Sequence, residues 1–104
     1  MKIFLDDVRS APPGWIRAYW PYDVIELLKS GNVEELSLDH DLGDDSRGTG
    51  YTVLLWIEEM VVLRNFSAPL IHVHTANVSA RNKMIMAVES IKSRSHTRLI
   101  GNGL

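Results

Sequence analysis

The sequence predicts an α/β fold built around a mainly parallel sheet that is covered by helices on both faces. Short apolar runs alternate with longer segments whose apolar residues recur at three- and four-residue spacing, which is typical of strands joined by helices. Two of the short runs end abruptly in acidic clusters, Asp6-Asp7 and Asp39-His40-Asp41. Buried strands end this way where they reach solvent, and the functional crevice of such sheets lies beyond the carboxyl ends of the strands.

The predicted strands are short apolar runs bounded by polar or turn-forming residues. They are Lys2–Leu5, Trp15–Trp20, Glu35–Leu38, Pro69–His74 and Thr97–Ile100. Two prolines and a glycine require a loop at Ser10–Gly14, and the polar segment Gly43–Gly50 is a second loop. With three helices between them, the elements follow the order β-β-α-β-α-β-α-β.

Each predicted helix has an apolar face and a starting or stopping signal. The first begins at Pro21 and stops at Gly31. The second runs from about Tyr51 to Leu63, with an apolar stripe of Val53, Trp56, Ile57, Met60 and Val61. The third is capped by Asn77 or Ser79 and has Met84, Val88 and Ile91 on its inner face.

The length and composition of the chain limit the classes of protein to which it can belong. A chain of 104 residues fits a single domain spanning 1–104. The net charge is -2 and the basic residues are scattered, so no stripe for duplex nucleic acid is visible. Cysteine is absent, which excludes a disulfide framework and a thiolate site. Without a signal peptide or an apolar run that could cross a bilayer, we expect a cytoplasmic protein with no membrane contact.

The acidic clusters predict a metal site at one edge of the sheet. Carboxylates that share one site repel each other and raise each other's pKa, and a hard divalent cation neutralises them. We therefore expect Asp6, Asp7 and Asp39 to bind a metal. The alternative is that these residues only cap turns or mark the ends of strands.

The second cluster also carries candidate reacting groups. Asp39, at the strand tip, is either a nucleophile toward phosphorus or only a metal ligand. Asp41 is a candidate general acid or base, and His40 is either catalytic or structural. His72 and His74 alternate along one strand and share a face. His74, nearest the strand end, is the functional candidate, whereas we expect His72 to pack under a helix.

Three further residues suit a phosphoryl group. Thr75 has a hydroxyl and Asn77 an amide that can donate to phosphoryl oxygens, and Arg9 can bind an oxyanion through two N–H groups. Each has an ordinary structural alternative. Asn77 is equally suited to cap a helix, and Arg9 to pair with one of the aspartates.

These motifs resemble the receiver domain of two-component response regulators. By that resemblance Asp6 and Asp7 are magnesium ligands, Asp39 is the phosphoacceptor and Thr75 the switch threonine. The chain departs from the pattern in three ways. The first helix is missing, and the proline usual after the phosphoacceptor loop is absent, with Asp41-Leu42-Gly43 in its region. The final predicted strand carries no lysine, with no last helix after it.

A narrower resemblance is to the cyclic-phosphate-processing receiver family. It rests on Leu5-Asp6-Asp7-Val8-Arg9, Pro13-Gly14-Trp15, Ser37-Leu38-Asp39-His40-Asp41-Leu42-Gly43 and His74-Thr75-Ala76-Asn77. It implies a receiver-like (flavodoxin-like) three-layer sandwich. The sheet would have five parallel strands in the order 2-1-3-4-5, without the usual first and last helices.

The resemblance also implies a function. The implied activity is that of a Mg²⁺- or Mn²⁺-dependent phosphoesterase acting on a cyclic nucleotide or an RNA cyclic phosphate end. The ligand would be a phosphorylated or cyclic-phosphate small molecule or RNA end, and a homodimer is left open. Two other functions remain open: a non-enzymatic pseudo-receiver that binds a partner protein, and a phosphoacceptor receiver of a two-component system.

Overall fold

The chain folds into a four-stranded parallel sheet with three helices. The computed structural model describes the backbone of residues 1–103 and the side chains of residues 1–95. The strands are β1 (Lys2–Leu5), β2 (Ile16–Ala18), β3 (Glu35–Leu38) and β4 (Leu70–Val73), and the helices are α1 (Pro21–Lys29), α2 (Gly50–Arg64) and α3 (Val78–Gly103). The strand order is β2-β1-β3-β4, and every pair is parallel. This confirms the predicted order of the first four strands.

All three helices pack on one face of the sheet. Their apolar side chains join a single core with alternate strand residues; its members include Ile3, Leu5, Leu36, Leu38, Val24, Leu28, Val53, Leu54, Ile57, Met84, Val88 and Ile91. The predicted three-layer arrangement is therefore wrong for the described part of the chain. The physical reason is local: β1 is followed by a loop with two prolines, and no helix lies between β1 and β2.

The opposite face of the sheet carries polar and aromatic side chains. The Lys2 ammonium lies 3.5 Å from the Glu35 carboxylate, and Nε2 of His72 lies 2.8 Å from it. Trp15 contacts the ring of Phe4 edge-on. His72 was predicted to pack under a helix, and this is wrong: its side chain is 47% exposed and pairs with Glu35 across neighbouring strands.

The fifth predicted strand is also wrong. Residues Thr97–Ile100 lie within α3, which runs from Val78 to Gly103. Their composition suits a strand, but neither glycine nor proline interrupts the sequence between Val78 and Ile100. The i→i−4 hydrogen bonding of a helix can therefore continue through this segment. Among the described helices, none combines the length and apolarity needed to cross a membrane.

Candidate functional site

Three side chains from neighbouring strand ends form one row at the carboxyl edge of the sheet. Asp6, Asp39 and His74 each lie one residue beyond the last paired residue of β1, β3 and β4. The N–H of Asp39 donates to Leu5 O (3.0 Å) and that of His74 to Leu38 O (3.0 Å), which extends the ladder. One candidate ligand atom from each side chain lies within 4.8 Å of the others. We call these three residues the strand-end row.

The Asp6 carboxylate is fully buried and accepts four hydrogen bonds. Oδ1 accepts from the backbone N–H groups of Val8 (2.8 Å) and Arg9 (2.9 Å), while Oδ2 accepts from the Arg9 guanidinium (3.1 Å) and from Nε2 of His74 (3.1 Å). Burial acts to raise the pKa of Asp6, but these hydrogen bonds outweigh it and hold the pKa below its ordinary value of 3.8. Asp6 is therefore an anion at neutral pH.

The tautomer of His74 follows from its two partners. Burial lowers the pKa of His74 and outweighs the Asp6 carboxylate, which acts to raise it, so the ring is neutral at pH 7. Because ionised Asp6 can only accept, Nε2 carries the proton. Nδ1 then accepts from the Ser37 hydroxyl at 2.7 Å. The ring stacks on Phe4 at a centroid distance of 4.3 Å.

Ser37 is the site residue that sequence reasoning missed. It lies in β3 between two buried leucines and is itself only 7% exposed. A signal was present, because strand alternation places one polar side chain on the face opposite Leu36 and Leu38. The hydrogen-bond partner of Ser37 could not be inferred, because the register that brings His74 next to Ser37 cannot be deduced from the sequence of β3 or of β4 alone.

Arg9 is the counter-charge of the strand-end row. Its Nη1 atom lies 3.1 Å from Oδ2 of Asp6 and 3.7 Å from Oδ2 of Asp39, and it also reaches the His74 carbonyl oxygen at 3.5 Å. The side chain is 51% exposed. The predicted alternative, an ion pair with an aspartate, is therefore present, and half of the side chain remains open to solvent.

A second group lies on the loops that follow β3 and β4. We call His40, Asp41 and Asn77 the outer group. Nδ1 of His40 lies 2.8 Å from Oδ1 of Asp41, and the Asn77 amide donates to Oδ2 of Asp41 at 3.3 Å. The hydrogen bond from His40 lowers the pKa of Asp41 and, with the smaller contribution of Asn77, outweighs burial. Because ionised Asp41 can only accept, Nδ1 of His40 carries the proton in this hydrogen bond.

Asn77 also has the structural role that the sequence offered as an alternative. Its Oδ1 accepts from the N–H of Ala80 at 3.1 Å, so Asn77 caps α3. The Thr75 hydroxyl oxygen accepts from the N–H of Asn77 at 3.2 Å, and Thr75 is buried. Thr75 and Asn77, two of the three predicted phosphate-binding residues, are therefore part of the turn that starts α3.

The Asp7 side chain lies beside the loop after β3. A Cβ atom added at Gly43 would lie 3.3 Å from Oδ2 of Asp7, so this carboxylate contacts the loop after β3. Gly43 has φ +90°, a conformation that favours glycine. Two of the three predicted metal ligands, Asp6 and Asp39, therefore lie in the strand-end row. The third, Asp7, lies beside the loop after β3.

The loop after β3 is held by close packing against the start of α2. The Gly50 N–H donates to the His40 carbonyl oxygen at 3.1 Å. A Cβ atom at Gly50 would lie 1.7 Å from the Asp39 carbonyl oxygen, which no side chain can satisfy. Glycine at this position therefore sets where the Asp39 and His40 backbone lies.

The strand-end row has the donor chemistry of a divalent cation site, with carboxylate oxygens and one imidazole. Oδ1 of Asp39 accepts from the His40 N–H at 2.8 Å. Among the side chains that the structure describes, Oδ2 has only the longer Arg9 contact, at 3.7 Å. Asp6 differs, because its four acceptor positions are already used. A cation fits the row if it takes the position of the Arg9 guanidinium.

One comparison with known proteins gives a match. The family model described as "Cyclic-phosphate processing Receiver domain" matches residues 1–90, a span that includes both groups of candidate residues. No curated protein matches the chain, and no solved structure does.

Proposed function

Because the chain belongs to the cyclic-phosphate processing receiver domain family, we propose that it is a metal-dependent phosphoesterase that opens a cyclic phosphate at the strand-end row. The substrate is a cyclic nucleotide or the cyclic phosphate end of an RNA. The observation that carries the proposal is the placement of Arg9. A half-exposed guanidinium lies at the carboxyl edge of the sheet, between two carboxylates and 3.5 Å from the His74 carbonyl oxygen.

Arg9 supplies the first contact to the phosphoryl group. A guanidinium binds oxyanions through charge-assisted hydrogen bonds, which are about twice as strong as neutral ones. Thr75 has a hydroxyl proton that is not used in accepting from the Asn77 N–H. Asn77 has a second amide proton besides the one donated to Asp41. These donors complete a phosphate-binding set at the start of α3.

His40 is the proton-transfer group in this proposal. Its Nδ1 is held by Asp41, so its Nε2 can accept a proton from a water molecule that attacks phosphorus. As the new P–O bond forms, the ring P–O bond breaks. The imidazolium then returns the proton to the departing ester oxygen, which gives a phosphate monoester and a free hydroxyl. Asp41 stabilises the imidazolium by its negative charge.

Asp6, Asp7 and Asp39 would hold Mg²⁺ or Mn²⁺, which when bound polarises a phosphoryl oxygen and lowers the pKa of a bound water. His74 acts here as a positioning residue. Its Nε2 proton is donated to Asp6, which orients that carboxylate in the row. Asp39 has a second role open to it, since its Oδ2 faces the same edge and can attack phosphorus directly.

The test is turnover of a panel of 2′,3′- and 3′,5′-cyclic nucleotides and a short RNA with a 2′,3′-cyclic phosphate end, with Mg²⁺ or Mn²⁺, followed by ³¹P NMR. We expect turnover that Asp39→Asn abolishes and that Asp45→Asn, an exposed loop control, retains. No turnover above the Asp39→Asn level on any substrate would exclude the proposal. Borohydride trapping of a quenched single turnover separates the two routes, because only an attacking Asp39 forms an aspartyl phosphate that borohydride can reduce.

A further inference from the structure

Arg9 occupies the position that a bound cation would need. Its Nη1 atom contacts Oδ2 of Asp6 at 3.1 Å and lies 3.7 Å from Oδ2 of Asp39. Both oxygens belong to the strand-end row, and one Nη1 atom contacts them both. The row therefore already has a positive charge, covalently tethered to the chain three residues after Asp6.

The contacts of Asp6 differ in how easily they can be released. Two come from the backbone N–H groups of Val8 and Arg9, which are fixed by the turn after β1. The third comes from His74, whose ring is held by the Ser37 hydroxyl and by stacking on Phe4. The fourth is the Arg9 guanidinium, at the end of a long side chain that is 51% exposed. Arg9 is the one contact that can leave without disturbing the strand ends.

A divalent cation and the guanidinium cannot share the row at low cost. Two positive groups within a few ångström of each other repel, and each weakens the other's attraction to the carboxylates. If Arg9 moves to a phosphoryl group, it gains charge-assisted hydrogen bonds there. It also leaves Asp6 and Asp39 free to bind the cation.

We propose that Arg9 is a tethered counter-cation that excludes a divalent metal from the strand-end row until a phosphoryl anion draws the guanidinium away. This inference rests on the proposed function, since it takes the site as one that binds both a phosphate and a metal. It adds that the two ligands bind cooperatively. By linkage, phosphate then tightens metal binding by the same factor as metal tightens phosphate binding.

The experiment measures Mn²⁺ binding to the full chain by water-proton relaxation, with and without inorganic phosphate. We expect wild-type protein to bind Mn²⁺ weakly alone and about tenfold more tightly with phosphate. Arg9→Gln should bind Mn²⁺ about tenfold more tightly than wild type without phosphate, and phosphate should add little. Arg94→Gln, which removes the same charge from an exposed position on α3, should behave as wild type.

Two results overturn the inference, and they are distinguishable. If Arg9→Gln and wild type bind Mn²⁺ equally, with no effect of phosphate, Arg9 does not exclude the metal, although metal-dependent activity can still stand. If neither protein binds Mn²⁺ under any condition, the metal dependence of the proposed function fails as well. If Arg9→Gln does not fold, the wild-type measurement alone tests the inference. Phosphate that does not tighten Mn²⁺ binding to the wild-type protein overturns the proposed cooperativity. Arg9→Lys keeps the charge and should still bind Mn²⁺ weakly without phosphate.

Discussion

The Ser37 hydroxyl lies 2.7 Å from Nδ1 of His74, and Nε2 of the same ring lies 3.1 Å from Oδ2 of Asp6. The three side chains form one hydrogen-bonded chain across β3, β4 and β1. Ser37 donates to His74, and His74 donates to Asp6. The imidazole is thereby fixed with its proton on Nε2 by the Asp6 carboxylate, and a hydroxyl buried in the middle of β3 supplies the donor that Nδ1 needs.

Replacing Ser37 by alanine should leave Nδ1 of His74 without its hydrogen-bond donor, while the Asp6 carboxylate keeps the proton on Nε2. We expect a destabilisation of about 1 kcal/mol. The ¹⁵N chemical shift of Nδ1 should change, whereas Nε2 should keep the shift of a protonated ring nitrogen. Ser93→Ala, at an exposed position of α3, is the matched control and should change neither quantity. An unchanged Nδ1 shift in Ser37→Ala would show that the Ser37 hydroxyl does not donate to this ring.

The stability of the protein should fall in two separate pH windows. His74 has a folded pKa below its ordinary value of 6.5. The unfolded chain therefore takes up a proton first, and stability is lost as the pH falls from about 6.5 toward the folded pKa. Asp6 also has a lowered folded pKa, so its contribution is fully present above 3.8 and is lost as the pH falls below that value.

Chemical denaturation at a series of pH values, with a chelator present, measures both windows. His74→Gln should flatten the upper window and leave the lower one. His72→Gln, a substitution two residues away on the same strand face, should keep the upper window. A wild-type stability that stays constant between pH 7 and pH 5 would contradict the assignment of a neutral, partly buried His74.

The strand-end row was largely predictable, because its signal is local. An apolar run that ends in a carboxylate fixes where a strand stops, and parallel neighbours bring Asp6 and Asp39 to one edge. The position of Asp7 beside Gly43 was not predictable in this way, because it depends on the path of the loop after β3. The error at Thr97–Ile100 has another cause: four residues with strand-like composition cannot override a helix with no residue to stop it.

Two substitutions at Asn77 should separate its capping role from its ligand-binding role. Asn77→Ala removes the cap of α3 and should cost about 1 kcal/mol of stability. Asn77→Ser keeps a side-chain oxygen for the Ala80 N–H, so stability should stay within about 0.5 kcal/mol of wild type. If the Asn77 amide binds phosphate, cyclic phosphate turnover should fall in both variants. Full turnover in Asn77→Ser would mean that Asn77 serves only as a cap.

Gly50 should be the glycine least tolerant of a side chain. In Gly50→Ala the new methyl group would meet the Asp39 carbonyl oxygen, so the loop after β3 or the start of α2 must shift. We expect a destabilisation of about 2–3 kcal/mol. The amide signals of Asp39 and His40 should also shift in a ¹⁵N–¹H correlation spectrum.

Gly31→Ala is the matched comparison for this prediction. Gly31 has φ +79° but no atom within 4 Å of an added Cβ, so only backbone strain opposes the substitution. Its cost should be about 1–2 kcal/mol, and the amide signals of Asp39 and His40 should stay in place. If the two substitutions perturbed these signals equally, the position of Asp39 could not depend on close packing against α2. The strand-end row would then be set by the sheet alone.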